Sequence, residues 1–192
     1  RMALDLYWGS GSPYSWRVML ALEYKRLPYI SHLLQLSTQE HQTPQMLKLN
    51  FRGKVPVLKL DSRTFSESQA ICEYLDETVP TPPLMPRSPE GRYEVRRLCA
   101  WFDDKFHGEV TANLLYERVN KKIMGLGYPE SKNVKAGSAK IKYHLDYLSW
   151  LLDQRRWLAG DAMTLADFTA AAHLSALDYI SDVDWDRQAN VK

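Results

Sequence analysis

The residues of this chain able to do chemistry gather in three short stretches. The first, Gly9-Ser10-Gly11-Ser12-Pro13-Tyr14-Ser15, lies between an apolar strand-like run, Leu4 to Trp8, and a helix-like run, Trp16 to Leu22. A strand-to-helix junction built from small residues points backbone N–H groups and a hydroxyl from the positive end of a helix, which suits an anion. Pro13 fits the first helical turn, where its missing N–H costs nothing. The second stretch, Gly53-Lys54-Val55-Pro56, puts a proline at the start of a β-branched run; there it cannot donate to a ladder, and a cis bond is expected. The third, Glu67-Ser68, brings a carboxylate and an N-cap hydroxyl to the start of a helical segment, Gln69 to Glu77. Each stretch also has a plainer use: Ser10, Ser12 and Ser68 as turn and cap residues, and Glu67 as an acid that complements a helix dipole.

The elements that must position these residues follow in order. Leu4–Trp8 reads as a strand, 14–24 as a helix and 29–34 as a second strand, giving a βαβ unit with parallel strands. A polar stretch, 37–50, holds a helical patch near 44–49. Val57 to Leu60 and Thr64 to Ser66 form a hairpin around Asp61-Ser62-Arg63, and the helix after Ser68 places Ile71, Tyr74 and Leu75 on one face. Pro80, Pro82, Pro83, Pro86 and Pro89 then mark a stiff linker. Everything beyond reads as helical: an aromatic segment from Pro89 to His107, a bend over 121–137, and a helix with Ile141, Leu145, Leu148 and Leu152 on one face. A loop, Arg155 to Gly160, precedes a capping box, Thr164-Leu165-Ala166-Asp167, with Asp in place of the usual Glu or Gln. Leu165, Phe168, Ala172, Ala176 and Tyr179 line one face of the helix it starts.

Composition excludes several classes. The chain has 192 residues, 45% hydrophobic and 25% charged, which is globular rather than disordered. A net charge of +2 is too small to argue for nucleic acid. Lys121, Lys122, Lys132, Lys135, Lys140 and Lys142 read as a solvated face without aromatic interleaving. No apolar run approaches a membrane span and no signal peptide is evident, so no membrane partner is expected. Cys72 and Cys99 have no metal-ligand spacing and read as buried thiols, in keeping with a cytoplasmic location. Arg1 ahead of Met2 reads as an added residue.

The order of these elements resembles the cytosolic glutathione transferase superfamily. Ser12-Pro13-Tyr14-Ser15 is similar to a glutaredoxin-type C-P-Y-C site with hydroxyls for both sulfurs, and Gly53-Lys54-Val55-Pro56 to the family's cis-proline loop. Glu67-Ser68-Gln69-Ala70-Ile71 with Tyr74-Leu75 matches its E-S-x-A-I-x-x-Y-L element, and Trp157 to Gly160 with Leu165-Ala166-Asp167 its capped core helix. The resemblance implies an α/β thioredoxin-like N-terminal domain (1–79), the Pro-rich linker (80–89) and an all-α C-terminal domain (90–192) lacking its last helices. It implies glutathione as co-substrate, with Ser12 catalytic and facing the sulfur. Val55 and the cis Pro56 would meet the peptide backbone, Glu67 and Ser68 the γ-glutamyl end, and Lys54 or His41 the glycine carboxylate, with Ser10 beside Ser12. Such a protein stabilises the thiolate for attack on a small electrophile and forms a homodimer, with no metal.

Departures are visible. Asn50-Phe51-Arg52 stands where the family often has Asn-Pro, and the N-terminal site has neither a Tyr nor a Cys nucleophile. Ser15-Trp16-Arg17-Val18 is shared with the zeta class, which isomerises maleylacetoacetate, but that class's Ser-Ser-Cys is missing. Ser12 to Tyr29 and Trp157 to Asp186 are also similar to alphaproteobacterial transferase-like proteins that bind the division protein FtsZ. That leaves a non-catalytic scaffold with FtsZ as partner, and a zeta-like isomerase, beside the transferase reading.

Overall fold

A computed structural model describes residues 3–192; the added residue expected at Arg1 falls outside them. The chain divides into two compact units, 1–85 and 86–192.

The first unit is a four-stranded sheet with three helices. Its elements are β1 (Leu4–Gly9), α1 (Pro13–Tyr24), β2 (Ile30–Leu34), α2 (Pro44–Leu49), β3 (Val57–Leu60), β4 (Arg63–Ser66) and α3 (Ser68–Thr78). Strand order is β2-β1-β3-β4; β2 runs parallel to β1, and β3 and β4 are antiparallel to their neighbours. This is the thioredoxin-like βαβ-ββα arrangement expected. Leu4 and Leu6 alternate into the core, and Val57, Leu58, Val18, Leu22, Ile71 and Leu75 are also buried with little or no exposure. Tyr7 and His32, opposite each other in register, stack at 4.5 Å on β1 and β2.

A buried cation closes this unit. The Lys25 side chain is fully buried and donates to Asp76 Oδ1 (2.8 Å), Val79 O (2.6 Å) and Pro82 O (2.7 Å). Asp76 in turn accepts from the Leu84 and Met85 N–H groups at 2.7 and 3.1 Å. The first half of the proline-rich stretch is therefore tied down, with Leu84 and Met85 buried.

The second unit is all helical. A continuous run begins at Ser88, whose hydroxyl caps the Gly91 N–H at 3.0 Å, and extends through α4 (Pro89–Ala100), a π-helical stretch (Trp101–Thr111), α5 (Ala112–Leu115), a π-helical turn (Tyr116–Asn120) and α6 (Lys121–Ile123). It is followed by α7 (Ser131–Gln154) and α8 (Leu165–Asp178). The bend is thus confined to 124–130, and Gly137 lies inside α7 rather than in the bend. A Cβ there would come within 2.7 Å of buried Leu114, so glycine allows α7 to approach α5 closely. Lys121 departs from the solvated row: it pairs with Glu117 at 2.8 Å, and Glu117 also accepts from the Glu130 N–H and Asn133 at the start of α7.

The capping box forms as expected. Thr164 Oγ1 accepts from the Ala166 N–H at 3.3 Å, and the Asp167 carboxylate accepts from the N–H groups of Thr164 (2.8 Å) and Leu158 (3.0 Å). α8 is not one-sided, however. Leu165, Ala166, Phe168, Ala170, Ala172, Leu174, Ala176 and Leu177 are all buried, while Tyr179 is 84% exposed. A helix enclosed on most sides is a core helix. The π-helical stretch is pinned by two histidine–carboxylate pairs, His144 to Glu109 at 2.9 Å from α7 and His173 to Asp103 at 3.0 Å from α8. Trp101 donates its indole N–H to His144 Nδ1 at 3.0 Å, and burial holds that histidine below its ordinary pKa.

Candidate functional site

Sheet register brings the three chemistry-bearing stretches to one end of the first unit. Tyr7 pairs with Val57 and Val57 with Ser66, so the exit of β1, the entry of β3 and the exit of β4 are neighbours. The Ser10–Ser12 turn, the Val55-Pro56 bend and Glu67-Ser68 follow directly from those strand ends.

Ser12 is the N-cap of α1, with Pro13 at the first helical position. Its Oγ accepts from the Ser15 N–H at 3.2 Å, and its N–H reaches Gly9 O at 3.3 Å. The plain capping use is therefore real, and it does not exhaust the residue. A hydroxyl that accepts one bond keeps its own hydrogen to donate, and Ser12 is only partly buried. Ser10 is exposed in the turn, beside Gly11 at φ 74° with open space around it. Ser15 is wholly buried and its Oγ accepts from the Gly9 N–H at 3.3 Å, so it serves the turn.

The Val55–Pro56 bond is cis and Pro56 is buried. The departure from Asn-Pro is absorbed by side chains: Asn50 donates to Lys54 O (2.9 Å) and accepts from the Arg52 N–H (3.2 Å), and Gln42 donates to Gly53 O (2.7 Å). Gly53 has φ 63°, and a Cβ there would lie 2.5 Å from the Gln42 side chain. Lys54 points an exposed side chain outward. His41 sits in a short 3-10 turn next to Gln42; its Nδ1 is buried without a hydrogen-bond partner, and burial lowers its pKa. His41 is joined to the loop through its neighbour Gln42, which donates to Gly53 O.

The third stretch differs from expectation in one respect. Glu67, not Ser68, is the N-cap of α3, and its side chain makes no capping bond. Its backbone lies at φ 69°, ψ 104°, a sparsely populated conformation for a residue with a side chain and one that collects at functional sites. Ser68 is the first helical residue, 5% exposed, and its Oγ accepts from Arg17 Nη2 at 2.6 Å. The Glu67 carboxylate pairs with Arg52 at 2.6 Å.

Arg17 is the residue that sequence reading missed. It is 2% exposed, on the face of α1 that also buries Val18, Ala21 and Leu22, and it reaches across to Ser68 and to Gln69 Oε1 (3.4 Å) at the start of α3. Its signal from physical chemistry is a cation inside an apolar stretch, Trp16-Arg17-Val18. Two helix N-termini and a buried guanidinium make this end of the sheet favourable to negative charge, while the exposed Glu67 carboxylate offers the rim a place for a cation. Such a pattern suits a zwitterion. Among the described residues no group of three or more His, Cys, Asp or Glu is placed to hold a metal, and no helix is long and apolar enough to cross a membrane.

Comparison with known proteins agrees with this architecture. Residues 11–78 match the family model for the glutathione S-transferase N-terminal domain. The chain is 42% identical over 177 residues to FtsZ-localized protein A of Caulobacter vibrioides, covering 90% of this chain and 76% of that protein. It is 33% identical over 168 residues to a probable maleylacetoacetate isomerase of Caenorhabditis elegans, covering 85% and 72%. A glutathione S-transferase structure from Rhodospirillum rubrum superposes with a TM-score of 0.92 at 44% identity, covering 98% of this chain and 84% of the other. The chain belongs to the glutathione S-transferase superfamily, in the branch that includes FtsZ-localized protein A.

Proposed function

We propose that the chain binds glutathione at the Ser12 end of the sheet and stabilises its thiolate for attack on a small electrophile. The observation that carries this reading is the Ser12 hydroxyl, held at the N-terminus of α1 by its bond to Ser15 with its own hydrogen left to donate. A free thiol with a pKa of about 8.5 is only a few per cent ionised at pH 7. A hydroxyl donor together with a helix N-terminus supplies about one to two units of depression, each worth about 1.4 kcal/mol. Val55 and cis Pro56 meet the peptide backbone, Ser68 and Glu67 the γ-glutamyl end, and Lys54 or His41 the glycine carboxylate, with Ser10 beside Ser12. With Ser at positions 12 and 15, the site cannot run disulfide exchange itself. Calorimetric titration with glutathione tests the reading: heat of binding in the wild type, weakened by Glu67→Ala, is expected, and no heat up to several millimolar overturns it.

The similarity to FtsZ-localized protein A supports a second reading, in which the same fold serves as a cytoplasmic, FtsZ-binding scaffold. Co-sedimentation with FtsZ filaments separates the two, because a pure transferase stays in the supernatant. The zeta-like isomerase reading is supported by the shared Ser15-Trp16-Arg17-Val18 and the 33% similarity, but the chain lacks that class's Ser-Ser-Cys. Homodimer formation is expected of either main reading.

A further inference from the structure

Glu67 and Arg52 meet at the rim of the site. The Arg52 guanidinium lies 2.6 Å from the Glu67 carboxylate, with side chains 60% and 56% exposed. Both backbones are fixed: the Arg52 N–H is held by Asn50 Oδ1, and Glu67 sits in its positive-φ turn ahead of α3. The Arg52 side chain, by contrast, is more than half exposed, with Glu67 as its ion-pair partner. On the glutathione reading above, on which this inference rests, Glu67 is the acceptor for the ligand's γ-glutamyl ammonium.

We infer that Arg52 is a positioning residue that partly masks Glu67, so that a ligand ammonium meets a carboxylate whose charge the guanidinium already offsets. The guanidinium is bonded to Glu67 Oε1, and a ligand ammonium and this guanidinium compete for the charge of one carboxylate. The mask is soft, since exposed ion pairs are weak and screened by salt. It sets selectivity as well as affinity: a peptide whose amine is blocked gains nothing from Glu67 and therefore feels no competition from Arg52.

The test is calorimetric titration of glutathione and of N-acetylglutathione into the wild type, Arg52→Ala and Arg52→Lys. Removing the guanidinium is expected to tighten glutathione binding by about two- to five-fold, the range that a surface ion pair allows. Arg52→Lys, which restores a cation, stays near the wild type, and N-acetylglutathione shows no gain with any variant. In the Glu67→Gln background Arg52→Ala has no further effect, which a merely structural role for Arg52 would not produce. If the wild type binds glutathione and Arg52→Ala binds it equally or more weakly, Arg52 is neutral or a direct ligand contact and the masking inference fails alone. If the blocked peptide gains as much as glutathione, it also fails. No binding by any of the proteins overturns this inference together with the glutathione reading.

Discussion

Single charged residues carry much of the specificity of this chain, and they act through partners far away in sequence. Lys25 satisfies a carboxylate and two carbonyls from a segment more than fifty positions on. Lys25→Met leaves those groups without their cation, and breaking one side of a buried pair costs about 3–5 kcal/mol. A lower denaturant midpoint and faster proteolytic cleavage within 79–85 are the expected readouts. Glu94 is a similar hub in the second unit, accepting from Arg97 (2.6 and 2.9 Å) and from Arg155 (2.9 Å). The Arg97 hydrogen bond, followed by that of Arg155, holds its carboxyl down at about 2, against 4.5 ordinarily. A lowered acid pKa gives stability that is present above the unfolded pKa and lost as pH falls through the folded one. Glu94→Gln should therefore melt below the wild type at neutral pH, and the gap should close as pH is lowered from 4.5 toward about 2.

Elements were legible where periodicity or turn chemistry spoke. The βαβ unit, the hairpin, the cis proline and the Asp-type capping box are all readable from alternation, glycine and proline positions, and hydroxyl–acid spacing. Helix packing was not. Gly137 reads as a bend former because glycine usually punctuates, yet here it admits Leu114 at the α5–α7 contact. Ala at this position would gain roughly 1 kcal/mol of helix propensity and lose about 1–3 kcal/mol to overpacking against a buried side chain. A net lower thermal midpoint is expected for Gly137→Ala. α8 misleads for a related reason: alanines and small polar residues fit all round a central helix, so its pattern names one face where the structure buries most of them.

At the scale of the whole molecule, four motifs in order sufficed to reveal the fold, because each marks a place where the backbone must turn or a helix must begin. The candidate site was only half legible. Ser12, Val55, Pro56, Glu67 and Ser68 could be named from such marks, and strand register brings their stretches to one end of the sheet. Arg17 and Arg52 could not, since a buried cation beneath Ser68 and a guanidinium over Glu67 depend on approach between segments that no local pattern encodes. The central claim is that this end of the sheet stabilises a bound thiolate. Its most direct test is an ultraviolet pH titration of glutathione thiolate bound to the wild type and to Ser12→Ala. The account predicts a bound thiol pKa about one to two units below 8.5 in the wild type, and a return most of the way to that value in Ser12→Ala. A thiol that titrates at its free value in the wild type, or identically in both proteins, would contradict it.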